Sequence, residues 1–131
     1  MIDGHQGIEP SAATTAAGVD HVRLAYDYID AGEFDAYSSL LDENMQLRGL
    51  GPEPAHGRGD VVRSVQELAG PPGWHELYKI IASGECVVAI GRYVPAEATS
   101  DVEFADAFVL SEDGLLLSQR RFRYLPGPAK P

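Results

Sequence analysis

A carboxylate stands at the centre of an apolar alternation in Phe104-Ala105-Asp106-Ala107-Phe108. Side chains alternate across a strand, so Phe104, Asp106, Phe108 and Leu110 share one face, and Ala105, Ala107 and Val109 share the other. An ionised Asp between two phenyl rings loses hydration, and the fold must supply a cation or a proton to hold it there. Asp106 is therefore the first candidate for acid/base work, with a structural buried ion pair as the alternative.

The residues downstream supply a partner. Ser111-Glu112-Asp113-Gly114 is a turn signal between two apolar runs and predicts an antiparallel hairpin of 102–110 with 115–125. A three-residue loop with Gly114 left-handed sets Leu110 opposite Leu116, Phe104 opposite Phe122 and Asp106 opposite Arg120. A two-residue loop shifts the pairing by one and sets Asp106 opposite Arg121. In either register a guanidinium faces the carboxylate. A cation within roughly 4–6 Å lowers an Asp pKa and apolar walls raise it, so the surroundings decide the protonation state. A bulge in either strand would upset both registers.

Other elements must carry this hairpin. Val19, Val22, Tyr26 and Ile29 recur at helical spacing and predict a helix over 15–30 that stops at Gly32, with Tyr26 on its inward face. A second helix is expected over 33–41, with Phe34, Tyr37 and Leu41 buried, and a short strand over 45–48. The Gly- and Pro-rich stretch 51–59 reads as a loop, after which Asp60 can cap a third helix that ends at Gly70-Pro-Pro-Gly73. Strands follow over 74–83, 86–94, 102–110 and 115–124. Helices first and then a run of antiparallel strands indicates an α+β domain. On 74–83 the two faces are equally mixed, so periodicity assigns neither to the interior. His75, at the entry of that strand, titrates near neutrality in its ordinary state and is a candidate acid or base. Trp74 is placed at a pocket mouth or in the core.

Composition sets the bounds. The 131 residues suffice for one domain with a core. We expect a single domain over 15–125 between loose tails over 1–14 and 126–131. Ten basic against twenty acidic residues give a formal charge of −10, which disfavours nucleic acid and anionic membrane as partners. The lone cysteine, Cys86, forms no internal disulfide and is expected as a small core hydrophobe. The four histidines are scattered and no metal site is expected. No secretory signal or membrane-spanning run is evident, so a cytoplasmic location is expected.

Four segments carry a family resemblance: Tyr26-Asp-Tyr-Ile-Asp-Ala-Gly-Glu-Phe-Asp-Ala-Tyr37, Leu41-Asp-Glu-Asn-Met-Gln-Leu47, Gly57-Arg-Gly-Asp-Val61, and Asp106-Ala-Phe108 with Glu112-Asp-Gly114. Over 19–125 the chain resembles the nuclear transport factor 2-like superfamily, and within it the SnoaL-like polyketide cyclases and ketosteroid isomerases. The resemblance implies a cone-shaped α+β barrel, with three N-terminal helices packed on a highly curved antiparallel sheet around one deep pocket. It also implies a homodimer and small-molecule chemistry without a cofactor, of cyclase or isomerase type, on a polyketide-like or other apolar intermediate. Asp106 would be the acid/base or hydrogen-bond donor, Arg120 or Arg121 would set its charge or bind an enolate oxygen, and Tyr26 would orient substrate. Tyr26 falls one residue from the isomerase tyrosine. The remaining expected substrate contacts are Phe104, Phe108, Arg48, Trp74, His75 and Arg121. The isomerase general base falls on Arg48, which cannot abstract a proton at neutral pH. The same fold hosts non-catalytic ligand-binding or dimerisation modules, and epoxide hydrolases. An epoxide hydrolase would need a second inward carboxylate, for which Glu76, Glu103 and Asp27 are candidates by position alone.

Overall fold

The computed structural model describes residues 12–97 and 100–124, so the expected tails fall largely outside the described residues. Three helices, α1 (Ala12–Ala31), α2 (Phe34–Ser39) and α3 (Arg58–Leu68), alternate early in the chain with β1 (Leu41–Arg48) and the two-residue β2 (Ala55–His56). The long strands β3 (Trp74–Ser83), β4 (Cys86–Val94), β5 (Val102–Leu110) and β6 (Leu116–Arg123) follow.

In α1 the inward stripe is Val22, Ala25, Tyr26 and Ile29, each buried. The helix ends where expected. Gly32 takes φ +73°, its N–H bonds Ile29 O at 3.0 Å, and Glu33 N–H bonds Tyr28 O at 2.8 Å, a Schellman closure that needs the left-handed residue. The second helix is shorter than expected, because Leu41 leaves it to open β1 against β6. Asp60 does not cap α3. Gly57 does, and Asp60 sits in the first turn and accepts from His56 N–H and Arg63.

The six strands form one sheet in the order β2-β1-β6-β5-β4-β3. All pairs are antiparallel except β1 with β6, so the sheet is mixed, where an antiparallel one was expected. It curls around the core without closing, with β2 and β3 as its two edges. The core lies between its inner face and the helices, built on Val22, Tyr37, Met45, Val61, Ala89 and Leu116. Cys86 is exposed rather than in that core, because Val87 and Ala89 take the inward parity of β4.

Two bulges explain what periodicity could not. On β3 the register shifts between Leu77 and Lys79. His75 and Leu77 face inward before it, Ile80 and Ala82 after it, so both parities carry apolar residues. On β6 the pairing begins as the three-residue loop requires, with Gly114 at φ +83° and Leu110 opposite Leu116. One extra residue, Leu117, then shifts every later pair, so Asp106 opposes Arg121 and Arg120 opposes Ala107. Gly49, at φ +87°, lies against the Arg121 backbone, where an added Cβ would come within 2.2 Å of the Arg121 carbonyl oxygen.

Candidate active site

Asp106 has no exposed surface. Its Oδ1 accepts from Arg121 Nε at 2.8 Å, and its Oδ2 accepts from Arg121 Nη2 at 2.8 Å, the Tyr26 hydroxyl at 2.5 Å and Gln119 Nε2 at 3.1 Å. This is a bidentate guanidinium–carboxylate pair with two further donors. Phe104 closes one side, the Arg121 guanidinium carbon lying 3.9 Å from its ring centroid. Burial works against the charge on Arg121, but the hydrogen bonds and charge of Asp106 outweigh it and hold its pKa above the ordinary value. Burial, then the charge and hydrogen bond of Asp106, push the Tyr26 phenol well above its ordinary range. Burial and the same carboxylate also raise Tyr37, whose hydroxyl is the buried side-chain oxygen left without a partner among the described residues.

A second carboxylate–base pair lies alongside. Asp30, one turn after Tyr26 on α1, accepts from the backbone N–H of His75 at 2.9 Å and meets His75 Nδ1 at 2.6 Å. The imidazole is walled by Tyr26, Tyr93 and Phe104, at ring-centroid distances of 5.0, 4.9 and 5.8 Å. Tyr93 is itself tied to α3's end by a hydroxyl bond to Gly70 O at 2.9 Å. Between the two pairs lies a cavity of about 10 Å³, lined by Tyr26, His75, Phe108, Gln119 and Arg121 and roofed by α3. That is room for about one water.

The structure thus brings together Asp106, Tyr26, Phe104, Phe108, His75 and Arg121. Three expected site residues lie elsewhere. Arg120 is exposed on the outer sheet face, over the Phe122 ring at 4.9 Å, because the β6 bulge turns it away. Arg48 pairs beside it and is also exposed, since Leu47 holds the inward parity of β1. Trp74 is 43% exposed and donates to Glu76 at 3.1 Å, at the outer end of β3. The second inward carboxylate is Asp30, not Glu76, Glu103 or Asp27. Glu76 bonds Arg92 on the outer face, and Glu103 and Asp27 are exposed. The sequence offered signals for what was missed: Asp30 is four residues from an inward Tyr26, and Gln119 two from Arg121 on one strand face. Among the described residues no cluster of three or more His, Cys, Asp or Glu side chains is arranged to hold a metal, and no helix is long and apolar enough to cross a membrane.

A curled sheet capped by three helices around an interior polar cluster defines a nuclear transport factor 2-like protein. The chain belongs to the SnoaL-like domain family, whose model matches residues 22–119. None of the curated proteins matches it. Among solved structures it is similar to a protein from Kribbella flavida assigned as a ketosteroid isomerase (TM-score 0.76, 15% identity, covering 89% of this chain and 84% of that one). It is also similar to one from Jannaschia sp. CCS1 assigned as a SnoaL-like polyketide cyclase (0.72, 15%, 87% and 90%). A third is an epoxide hydrolase of Mycobacterium tuberculosis (0.72, 13%, 84% and 84%). At such identities the likeness speaks for the fold.

Proposed function

We propose that the protein is a cofactor-independent enzyme performing cyclase- or isomerase-type proton transfer on a polyketide-like or other largely apolar carbonyl compound. One observation carries this reading: a guanidinium fixed in a buried, aromatic-walled interior. Arg121 gives two of its five N–H donors to Asp106, which leaves the others for a substrate oxygen. The cavity as it stands holds about one water, so a carbonyl compound enters only if the interior opens; once beside Arg121 it would be stabilised as negative charge develops on its oxygen, and a donor already held in position reorganises little during reaction. In this reading Asp106 is an anchor rather than the acid, and Tyr26, whose hydroxyl is engaged by Asp106, shapes the pocket.

The test uses 4-nitrophenol, whose phenolate absorbs in the visible, as an oxyanion mimic. Binding to the wild-type protein should favour the phenolate. The double variant Asp106→Asn/Arg121→Gln, which keeps neutral hydrogen-bonding groups, should bind it without that shift. Equal spectra in both proteins, or no binding to wild type, would refute the reading.

The alternative is a non-catalytic ligand-binding or dimerisation module, favoured by the cavity of only about 10 Å³. In that reading the Asp106–Arg121 pair is structural and 4-nitrophenol stays in solution. Epoxide opening has less support, since both interior carboxylates are already engaged by protein donors. Either main reading accommodates a homodimer through the outer sheet face. There Phe122, Tyr124 and Tyr78 are 50%, 65% and 56% exposed.

A further inference from the structure

We infer that His75, oriented by Asp30, is the proton-accepting base of this interior, and that its substrate is a small neutral carbonyl compound with an acidic C–H beside the carbonyl. The inference deepens the enzymatic reading and rests on it. It starts from the two bonds that Asp30 receives. A carboxylate accepts and does not donate, so the contact at 2.6 Å requires a hydrogen on Nδ1, which in the neutral ring leaves the lone pair on Nε2. The backbone N–H of His75, at 2.9 Å from the other oxygen, fixes the carboxylate in that plane. A tether between α1 and β3 would need only this backbone bond, and the ring bond adds control of the tautomer.

Nε2 has no bonding partner among the described residues, and the ring lines the same cavity as Arg121 and Gln119. The His75 side chain is 1% exposed. The groups facing it are Asp30 and Tyr26 from α1, Tyr93 from β4, Phe104 from β5 and, across the cavity, Arg121 from β6. Asp30 is the carboxylate in contact with the ring, and Arg121 is already paired with Asp106. A positive imidazolium therefore gains a counter-charge at one nitrogen while the other meets the substrate.

The step balances without a co-reactant. Nε2 takes the proton from carbon, the C–H pair becomes the enolate double bond, and the carbonyl π pair moves onto oxygen beside the Arg121 N–H donors. Return of the proton to a different carbon yields an isomer and restores the neutral imidazole. Asp30 is a positioning residue in this scheme, since it touches only His75.

The first measurement is the ¹⁵N spectrum of the wild-type protein, which should show His75 with hydrogen on Nδ1 and a free Nε2. Asp30→Asn should scramble that tautomer. The second uses 5-nitrobenzisoxazole. A base removes its ring proton, the C–H pair forms a nitrile, and the N–O bond breaks to release a coloured phenolate. Wild type should turn it over, and His75→Gln should lower the rate about 100-fold or more. A hydrogen on Nε2, a His75→Gln rate equal to wild type, or no wild-type turnover while 4-nitrophenol still binds would each overturn the assignment. Failure of 4-nitrophenol to bind wild type would instead refute the interior site itself.

Discussion

Replacing Arg121 with Met removes a cation and leaves its carboxylate partner in place. Asp106 has no exposed surface, and Arg121 supplies two of its four hydrogen bonds. Breaking a buried pair from one side costs about 3–5 kcal/mol, because an uncompensated charge remains in a site of low polarity. For a domain of this size that is a fall in Tm on the order of 10–20 °C. Adding Asp106→Leu to Arg121→Met removes the stranded charge. The double variant should recover most of the loss, since a well-packed apolar pair is often as stable as the ion pair it replaces. The assay is a double-mutant cycle by urea denaturation at pH 7. Additive losses in the two single variants would refute the coupling on which the site reading depends.

Alkaline titration should show Tyr26 and Tyr37 keeping their protons until the fold is lost, because burial, with the charge of Asp106, raises both phenols. The folded chain then binds protons that the unfolded chain releases above pH ~10, so stability must fall as pH rises through that range, by about 1.4 kcal/mol per pH unit for each such group. Tyr26→Phe should make that fall shallower, and ultraviolet-monitored unfolding between pH 9 and 11 checks it; an unchanged slope would contradict the assignment. On the outer face, Phe122→Asp should convert a dimer to a monomer in light-scattering chromatography with little change in Tm. A wild-type chain that is already monomeric at micromolar concentration would dismiss that interface.

Where the chain follows a single period, the sequence was enough. The Val22-Tyr26-Ile29 stripe, the Gly32 stop and the alternation around Asp106 place a helix, its end and an inward acid as the structure has them. What escaped was set by pairing between distant segments. The bulge at Leu117 is invisible in a run of leucines, yet it decides that Arg121 rather than Arg120 meets Asp106. The bulge after Leu77 mixes the two faces of β3, which concealed that His75 points inward. Leu41 has the burial expected of a helix face but belongs to a strand, because its parallel partner lies seventy-five residues further on, at Leu116. Asp30 was legible by its spacing from Tyr26, but a carboxylate near a helix end has an ordinary solvated reading that spacing alone does not displace.

Charge decides what such an interior can receive. The formal −10 of the chain disfavours the approach of anionic substrates. An anion must give up its hydration to enter the interior, where Arg121 shares its charge with Asp106 and offers only its remaining N–H donors in return. A neutral carbonyl compound avoids that cost and develops charge only beside the remaining Arg121 donors. The same reasoning divides the two carboxylates. Asp106 accepts four hydrogen bonds, three at Oδ2 and one at Oδ1, and does not line the cavity in which a substrate carbon would sit. Asp30 receives both of its bonds from His75. The imidazole between Asp30 and the cavity is the group that can gain a proton with its counter-charge already in place, which is the property a base working inside a closed core requires.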